Sequence, residues 1–104
     1  MLTLVEQDDG KRVTARVGDE VVLRLPENAS TGYRWAPDGY DAALLDLAEE
    51  SASYAGAVGS GGEAVFRFRV KAAGSGLLRM KVWRHWEGES SVIKRFAVTI
   101  EARP

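Results

Sequence analysis

The chain has 104 residues, of which 45% are hydrophobic and 28% charged, with a formal net charge of −1 and no cysteine. This length and composition predict a single folded domain over residues 1–104 and exclude disulfides, thiolate chemistry and cysteine metal sites. With so little net charge, no overall field draws the protein to nucleic acid or to an anionic membrane. The sequence as given has no signal peptide and no membrane-spanning run, so we expect a periplasmic or secreted protein if a leader was removed and a cytoplasmic one otherwise.

Alternating apolar residues predict strands along the first part of the chain. These strands lie at residues 2–5, 12–17, 21–25 and 33–35. The Asp9-Gly10 pair between the first two strands is a strong hairpin signal. Pro26 is expected to end the third strand, and the proline and Asp-Gly pair within residues 36–39 predict another turn.

Residues 41–50 fit two structures. Leu44, Leu45 and Leu47 could lie on one face of a helix of about three turns, since the segment has good helix propensity. Leu45, Leu47 and Glu49 also alternate as they would in a strand. Because strands are predicted on both sides, a turn at residues 41–43 followed by a strand at 44–50 is favoured, and the helix is the alternative.

The second half of the chain continues the strand pattern. Small polar residues predict a loop over residues 51–62, and a strand with one apolar face follows it. Glycines at residues 74–76 are expected to turn the chain into the next strand, and residues 83–91 form a loop with two indoles. The last strand is predicted at residues 92–101. The apolar side chains expected to point inward from these three strands are Phe66, Phe68, Val70, Leu78, Met80, Val82, Phe96, Val98 and Ile100.

These strands predict an all-β fold, an immunoglobulin-like β-sandwich of seven to eight mostly antiparallel strands. When main strands are counted from the one at residues 12–17, the loops after the second, fourth and sixth main strands of such a sandwich gather at one end. Those three positions are held by a polar hexapeptide at residues 28–33, a glycine run at 59–62 and the loop that contains Trp86. We therefore expect these three loops to form one surface.

Few residues could carry catalysis, and we expect neither enzymatic activity nor a metal or cofactor. The single histidine, His85, lies near Ser90 and Ser91, but an exposed loop would lack a buried orienting carboxylate and an oxyanion hole. Histidine and carboxylates do not occur at metal-ligand spacing. Basic residues at positions 67, 69, 71, 79 and 81 predict a stripe on adjacent strands. Because no exposed aromatic residues interleave with it, nucleic-acid binding is a minor alternative.

Three short sequences carry the candidate binding residues. The hexapeptide surrounds a glycine that can adopt a positive φ, and from this segment alone an ordinary turn is an equal alternative. Its residues are Asn28, Ala29, Ser30, Thr31, Gly32 and Tyr33. The glycine run consists of Gly59, Ser60, Gly61 and Gly62. The third sequence is Arg84, His85 and Trp86.

Together these sequences resemble the three loop signatures of the chagasin family, small proteins that inhibit papain-like cysteine peptidases. The hexapeptide is similar to Asn-Pro-Thr-Thr-Gly-Tyr, with Ala29 and Ser30 in place of proline and threonine. The glycine run matches Gly-x-Gly-Gly, and the third sequence is similar to Arg-Pro-Trp, with His85 in place of proline. The signatures follow the family's order, and the resemblance covers nearly the whole chain.

The resemblance implies a reversible, tight-binding inhibitor that occludes the active-site cleft of a papain-like cysteine peptidase with three loops. Thr31 would lie near the catalytic cysteine of the peptidase, while the glycine run and Trp86 would lie along the cleft on either side. We expect this inhibitor to be a monomer. The alternative is a non-inhibitory immunoglobulin-like interaction domain that binds a peptide or protein through the same loops.

Overall fold

A computed structural model describes residues 2–27, 32–54 and 62–104 of the chain. These residues form two four-stranded sheets that pack into a sandwich, which confirms the predicted all-β fold. The strands are β1 (Leu2–Val5), β2 (Arg12–Arg16), β3 (Glu20–Glu27), β4 (Arg34–Tyr40), β5 (Leu45–Tyr54), β6 (Gly62–Val70), β7 (Gly74–Trp83) and β8 (Lys94–Arg103). In the same ranges every helix is a three-residue 3-10 turn, and none is long and apolar enough to cross a membrane.

One sheet has the strand order β1-β3-β6-β5 and the other the order β2-β8-β7-β4. Neighbouring strands are antiparallel except for β1 with β3 and β2 with β8, which are parallel. Because β1 and β2 lie in different sheets, residues 9–10 form a turn between sheets, and the predicted hairpin is wrong. The turn docks on β8, where the Ala97 N–H donates to the Asp9 carboxylate at 2.8 Å and the Gly10 N–H donates to the Ala97 carbonyl at 2.7 Å.

The core lies between the two sheets and is built from alternate strand residues, as period-two patterning predicts. Buried apolar side chains come from β3, β6, β7 and β8. The main contributors are Val21, Leu23, Leu25, Phe66, Phe68, Val70, Leu78, Met80, Phe96, Val98 and Ile100. Val82 is partly buried and packs against this core. The predicted inward faces of the last three strands therefore correspond to the observed ones.

Three segments that were predicted as strand ends or turns are strand in the structure. Pro26 lies within β3, beyond the point where β1 ends opposite Arg24, so no strand on that side needs its missing N–H. Pro37 lies on β4, the edge strand of its sheet, and the pairing shifts between Pro37 and Tyr40. Residues 74–76 pair with β8, so the turn precedes Gly74.

Residues 41–50, for which the sequence fits two structures, form a turn followed by a strand, and the helix alternative is wrong. Asp41 closes the turn, because its carboxylate accepts the Ala43 N–H at 3.0 Å and its carbonyl accepts the Leu44 N–H at 3.0 Å. Strand β5 then begins at Leu45 and pairs with β6 as far as Tyr54. The predicted loop at residues 51–62 is therefore partly strand, at both ends.

Two predictions for the later strands also need correction. The final strand begins at Lys94, two residues later than predicted, because Val92 closes a 3-10 turn through its N–H to the Glu89 carbonyl. The basic stripe is absent, because β6 and β7 are consecutive in sequence but lie in different sheets. The arginines at positions 67 and 69 therefore lie in one sheet, and the basic residues at 79 and 81 lie in the other.

Candidate functional site

Three connections leave the sandwich at the same end: residues 28–33 (the first loop), residues 55–61 (the second loop) and residues 84–93 (the third loop). Strand register places them there. Glu27 at the end of β3 lies opposite Gly62 at the start of β6, and Gly62 also pairs with Tyr54 at the end of β5. In the other sheet Arg34 pairs with Trp83.

The structure describes only some of the predicted site residues. Gly32, Tyr33, Arg84, His85 and Trp86 are within the described ranges, and Gly62 is the first residue of β6. The remaining predicted residues lie outside the described residues, namely Asn28, Ala29, Ser30, Thr31, Gly59, Ser60 and Gly61. The geometry of the site is therefore given by the bases of the first and second loops and by the whole third loop.

Polar contacts fix the base of the first loop between the two sheets. Glu27 is only 7% exposed, and its carboxylate accepts the backbone N–H of Trp35 at 2.8 Å. The Arg34 Nε lies 3.9 Å from the same carboxylate. Trp35 is buried, and its indole N–H donates to the Pro26 carbonyl at 2.8 Å. Since buried charges and polar groups are costly unless they are paired, these contacts hold the strands on either side of the loop together.

Gly32 connects the first loop to the third. Its φ is +79°, the left-handed region that favours glycine, as the sequence led us to expect. A Cβ at this position would lie 3.0 Å from Cη2 and 3.4 Å from Cζ2 of the Trp86 indole, and 3.7 Å from the Arg84 Nε. The backbone of Gly32 therefore packs directly against Trp86, and no other residue type fits without a shift.

Arg84 forms a second connection between the same two loops. Its guanidinium carbon lies 4.3 Å from the centroid of the Tyr33 ring, a distance typical of a cation–π contact. Its Nη1 also donates to the Glu87 carboxylate at 3.1 Å. Arg84 thus contacts the first loop with one part of its guanidinium while it is paired within the third loop. This arrangement suits a residue that positions its neighbours.

Ser91 organises the third loop from inside, a role that sequence reasoning missed. The side chain is 8% exposed, and its hydroxyl accepts the Arg84 N–H at 3.0 Å and donates to the Gly88 carbonyl at 2.7 Å. Two 3-10 turns, His85–Glu87 and Glu89–Ser91, meet at Gly88, which has a φ of +78°. A serine among the several polar residues of this loop gives no sequence signal that would single it out.

The third loop presents Trp86 to solvent. The side chain is 62% exposed, although one part of its indole covers Gly32. The exposed His85 ring meets the Trp86 ring edge to face, with 5.2 Å between centroids and an interplanar angle of 85°. A large, rigid and amphipathic ring held in this way is the type of side chain that dominates binding energy at protein interfaces.

A network of four charged side chains supports the third loop on the outer face of its sheet. Glu89 accepts hydrogen bonds from Arg95 at 2.7 Å and Lys81 at 2.9 Å, and both cations also pair with Asp38. The bonds from Arg95 and Lys81 lower the pKa of Glu89, and the bond to Glu89 raises the pKa of Lys81. The Lys81 ammonium also lies 3.8 Å from the centroid of the Trp83 ring. In the described ranges no cluster of His, Asp and Glu has the makeup of a metal site.

Comparisons with known proteins agree with this architecture. Residues 14–100 match the family described as "Chagasin family peptidase inhibitor I42". The chain is 30% identical over 100 residues to chagasin from Trypanosoma cruzi, and the match covers 90% of this chain and 91% of that protein. The match to the family and the match to chagasin both include the segments that hold the three loop signatures.

Solved structures share the fold at lower sequence identity. The cysteine protease inhibitor EhICP2 from Entamoeba histolytica superposes with a TM-score of 0.84 at 18% identity, over 98% of this chain and 94% of that chain. PbICP-C, solved in complex with falcipain-2, gives a TM-score of 0.77 at 12% identity, over 99% of this chain and 100% of that chain. The chain belongs to the chagasin family of peptidase inhibitors, which confirms the family and the inhibitor function predicted from its three loop sequences.

Proposed function

We propose that the chain inhibits papain-like cysteine peptidases reversibly, by occluding the active-site cleft with the three loops at one end of the sandwich. Membership of the chagasin family supports peptidase inhibition. The observation that carries the mode of inhibition is the contact between Gly32 and the Trp86 indole, because it joins the first and third loops into one surface. The non-inhibitory interaction domain is disfavoured, since the matching family is one of inhibitors.

Each of the three sequences has a distinct role in this proposal. Asn28, Ala29, Ser30, Thr31, Gly32 and Tyr33 enter the cleft at the catalytic centre, where the small Thr31 side chain fits beside the peptidase cysteine. In the glycine run, Gly59, Ser60, Gly61 and Gly62 bring backbone amides close to one wall of the cleft, because little side-chain volume intervenes.

On the other side, the exposed Trp86 indole supplies a large apolar contact, with His85 beside it. Arg84 braces the first loop through Tyr33, so we assign it a positioning role within the surface. The hydrogen bond from the Trp35 backbone N–H to the Glu27 carboxylate holds the strands on either side of the first loop together before binding. Such preorganisation favours affinity because little conformational freedom is lost on binding.

The proposed partner class follows from the family and from a protein of the same fold. PbICP-C is solved in complex with falcipain-2, and we propose a papain-like cysteine peptidase as the partner of this chain. The chain then acts as a single-domain monomer, with no catalytic activity, metal or cofactor of its own. Neither nucleic acid nor a membrane takes part.

Titration of papain tests this function directly. Papain hydrolysis of a fluorogenic peptide substrate is measured at increasing concentrations of the protein, and we expect a competitive loss of activity. Trypsin, a serine peptidase with an unrelated cleft, serves as the control and should retain its activity. Full papain activity in a large molar excess of the protein would contradict the proposal.

A further inference from the structure

The third loop exposes a second large apolar side chain besides Trp86. Ile93 is 63% exposed, whereas Val5, Val17 and Leu77, the other exposed large apolar residues in the described ranges, are between 40% and 42% exposed. Its position is fixed, because its backbone N–H donates to the Val82 carbonyl at 3.0 Å. A fixed, strongly exposed isoleucine beside the inhibitory end is typical of an interaction surface.

Ile93 lines a concave, mainly apolar notch of about 230 Å³ between the first and third loops. We call this concavity the Ile93 notch. Its described lining residues are Pro26, Glu27, Tyr33, Trp35, Val82, Ile93 and Lys94. The charges at this site are paired, since Lys94 lies 3.2 Å from the Glu6 carboxylate and the Glu27 carboxylate accepts the Trp35 N–H. An apolar group could therefore enter the notch without leaving a charge unpaired.

We infer that the Ile93 notch is a further contact surface for the peptidase and receives an apolar side chain from the rim of its active-site cleft. This inference rests on the proposed function. Continuity supports this occupant, because Tyr33 belongs to the first loop and also lines the notch, so a peptidase seated on the first loop reaches the notch. Apolar side chains of this size contribute strongly to binding when both partners are desolvated.

The test compares inhibition of papain by the parent protein and three variants. Ile93→Ser removes the apolar side chain, Ile93→Leu retains it, and Val17→Ser removes an exposed valine at the opposite end, where the Val17 N–H donates to the carbonyl of Arg103 at the end of β8. We expect Ile93→Ser to raise the inhibition constant about tenfold or more, while Ile93→Leu and Val17→Ser remain close to the parent. Melting temperatures should be unchanged in all three variants.

Four outcomes separate this inference from the function on which it rests. A tenfold increase in the inhibition constant that is seen for Ile93→Ser and for neither control variant supports the proposed contact at the Ile93 notch. If Ile93→Ser inhibits papain as well as the parent, the proposed contact at the Ile93 notch is wrong and the proposed function is unaffected. If the parent protein fails to inhibit papain, both the contact and the proposed function are wrong. Sedimentation velocity supplies the last outcome, because a dimer of the parent that Ile93→Ser converts to a monomer would assign the notch to a second copy of this chain.

Discussion

Two separate constraints require glycine at position 32, and both concern the Cβ atom that glycine lacks. The Gly32 φ of +79° is strained for residues with a Cβ, and the space that a Cβ would take is occupied by the Trp86 indole. The first constraint could be anticipated from the hexapeptide, whose glycine interrupts an extended pattern. The second could not, because nothing in the local sequence shows that a residue more than fifty positions later packs against it.

A double-mutant cycle separates these two effects. Gly32→Ala alone adds about 1 kcal/mol of backbone strain and also displaces the indole, so we expect it to raise the inhibition constant substantially and to lower the melting temperature by only a few degrees. In a Trp86→Ala background the displacement is gone, and the same substitution should cost less. Inhibition constants of the four proteins for papain provide the measurement. If Gly32→Ala raises the inhibition constant by the same factor with Trp86 present and with Trp86 replaced by alanine, the contact between Gly32 and Trp86 does not couple the two loops.

Trp86 should act on binding and hardly at all on folding. We expect Trp86→Ala to weaken inhibition by about 2 kcal/mol or more, which is about thirtyfold, because the exposed indole has much surface available to a partner. Trp35→Ala is the matched control, since that indole is buried and its loss should lower stability by about 3 to 5 kcal/mol. Thermal unfolding and papain inhibition are measured for both variants. A similar loss of stability in both would contradict the assignment.

Among the elements, strand faces were predictable from sequence, but several strand ends were not. Alternation placed Phe66, Phe68 and Val70 on the inner face of β6, because a half-buried strand obeys period two. Pro26 was expected to end its strand and Pro37 to lie in a turn, since the preferences of proline that the sequence shows are local. Whether a strand accepts proline depends on which neighbour reaches that position, and this is set by the topology of the sheets.

The Glu89 network predicts a specific pH dependence of stability. Hydrogen bonds from Arg95 and Lys81 lower the pKa of Glu89 in the folded protein, so its contribution is present above the ordinary glutamate value of 4.5 and is lost as pH falls through the lower folded value. Glu89→Gln should therefore have a lower melting temperature than the parent at pH 7. The difference between the two melting temperatures should become smaller below about pH 4.5. Both cations keep their charge throughout this range.

Melting temperatures at pH 7 to 3 measure this effect. Glu49→Gln is the control, because Glu49 is an exposed residue of β5 that has no ion pair among the described residues. Its melting curve should follow that of the parent at every pH. A difference between Glu89→Gln and the parent that stays constant down to pH 3 would show that the carboxylate charge does not stabilise the folded chain.

For the whole molecule, the order of the loop signatures indicated the position of the candidate site, while its internal contacts were found only in three dimensions. Alternate connections of a sandwich emerge at one end, so three signatures in alternate connections imply one surface. Ser91 and Ile93 carried no such signal, since the role of Ser91 depends on a buried hydroxyl and the role proposed for Ile93 depends on a notch formed by strand ends and two separate loops. Chain order fixes where a loop emerges, and packing decides what it touches.

The whole protein should form a non-covalent complex with its target. The chain has no cysteine, so no thiol is available to form a disulfide with the peptidase nucleophile. After incubation with excess papain, denaturing mass spectrometry should recover both proteins at their unmodified masses. A covalent adduct, or rapid stoichiometric cleavage between Thr31 and Gly32, would contradict reversible inhibition.

The position of strand β8 in its sheet determines when the chain can fold during synthesis. Strand β8 lies between β2 and β7, so residues 12–16, which the ribosome produces early, have no partner until residues 99–103 emerge. A nascent chain that lacks β8 exposes the unpaired edge of β7, and such edges promote aggregation. Because the pairing joins such distant segments, we expect refolding in milliseconds to seconds, which stopped-flow tryptophan fluorescence would measure. Folding of this inhibitor on the ribosome thus waits for one of its last-made strands.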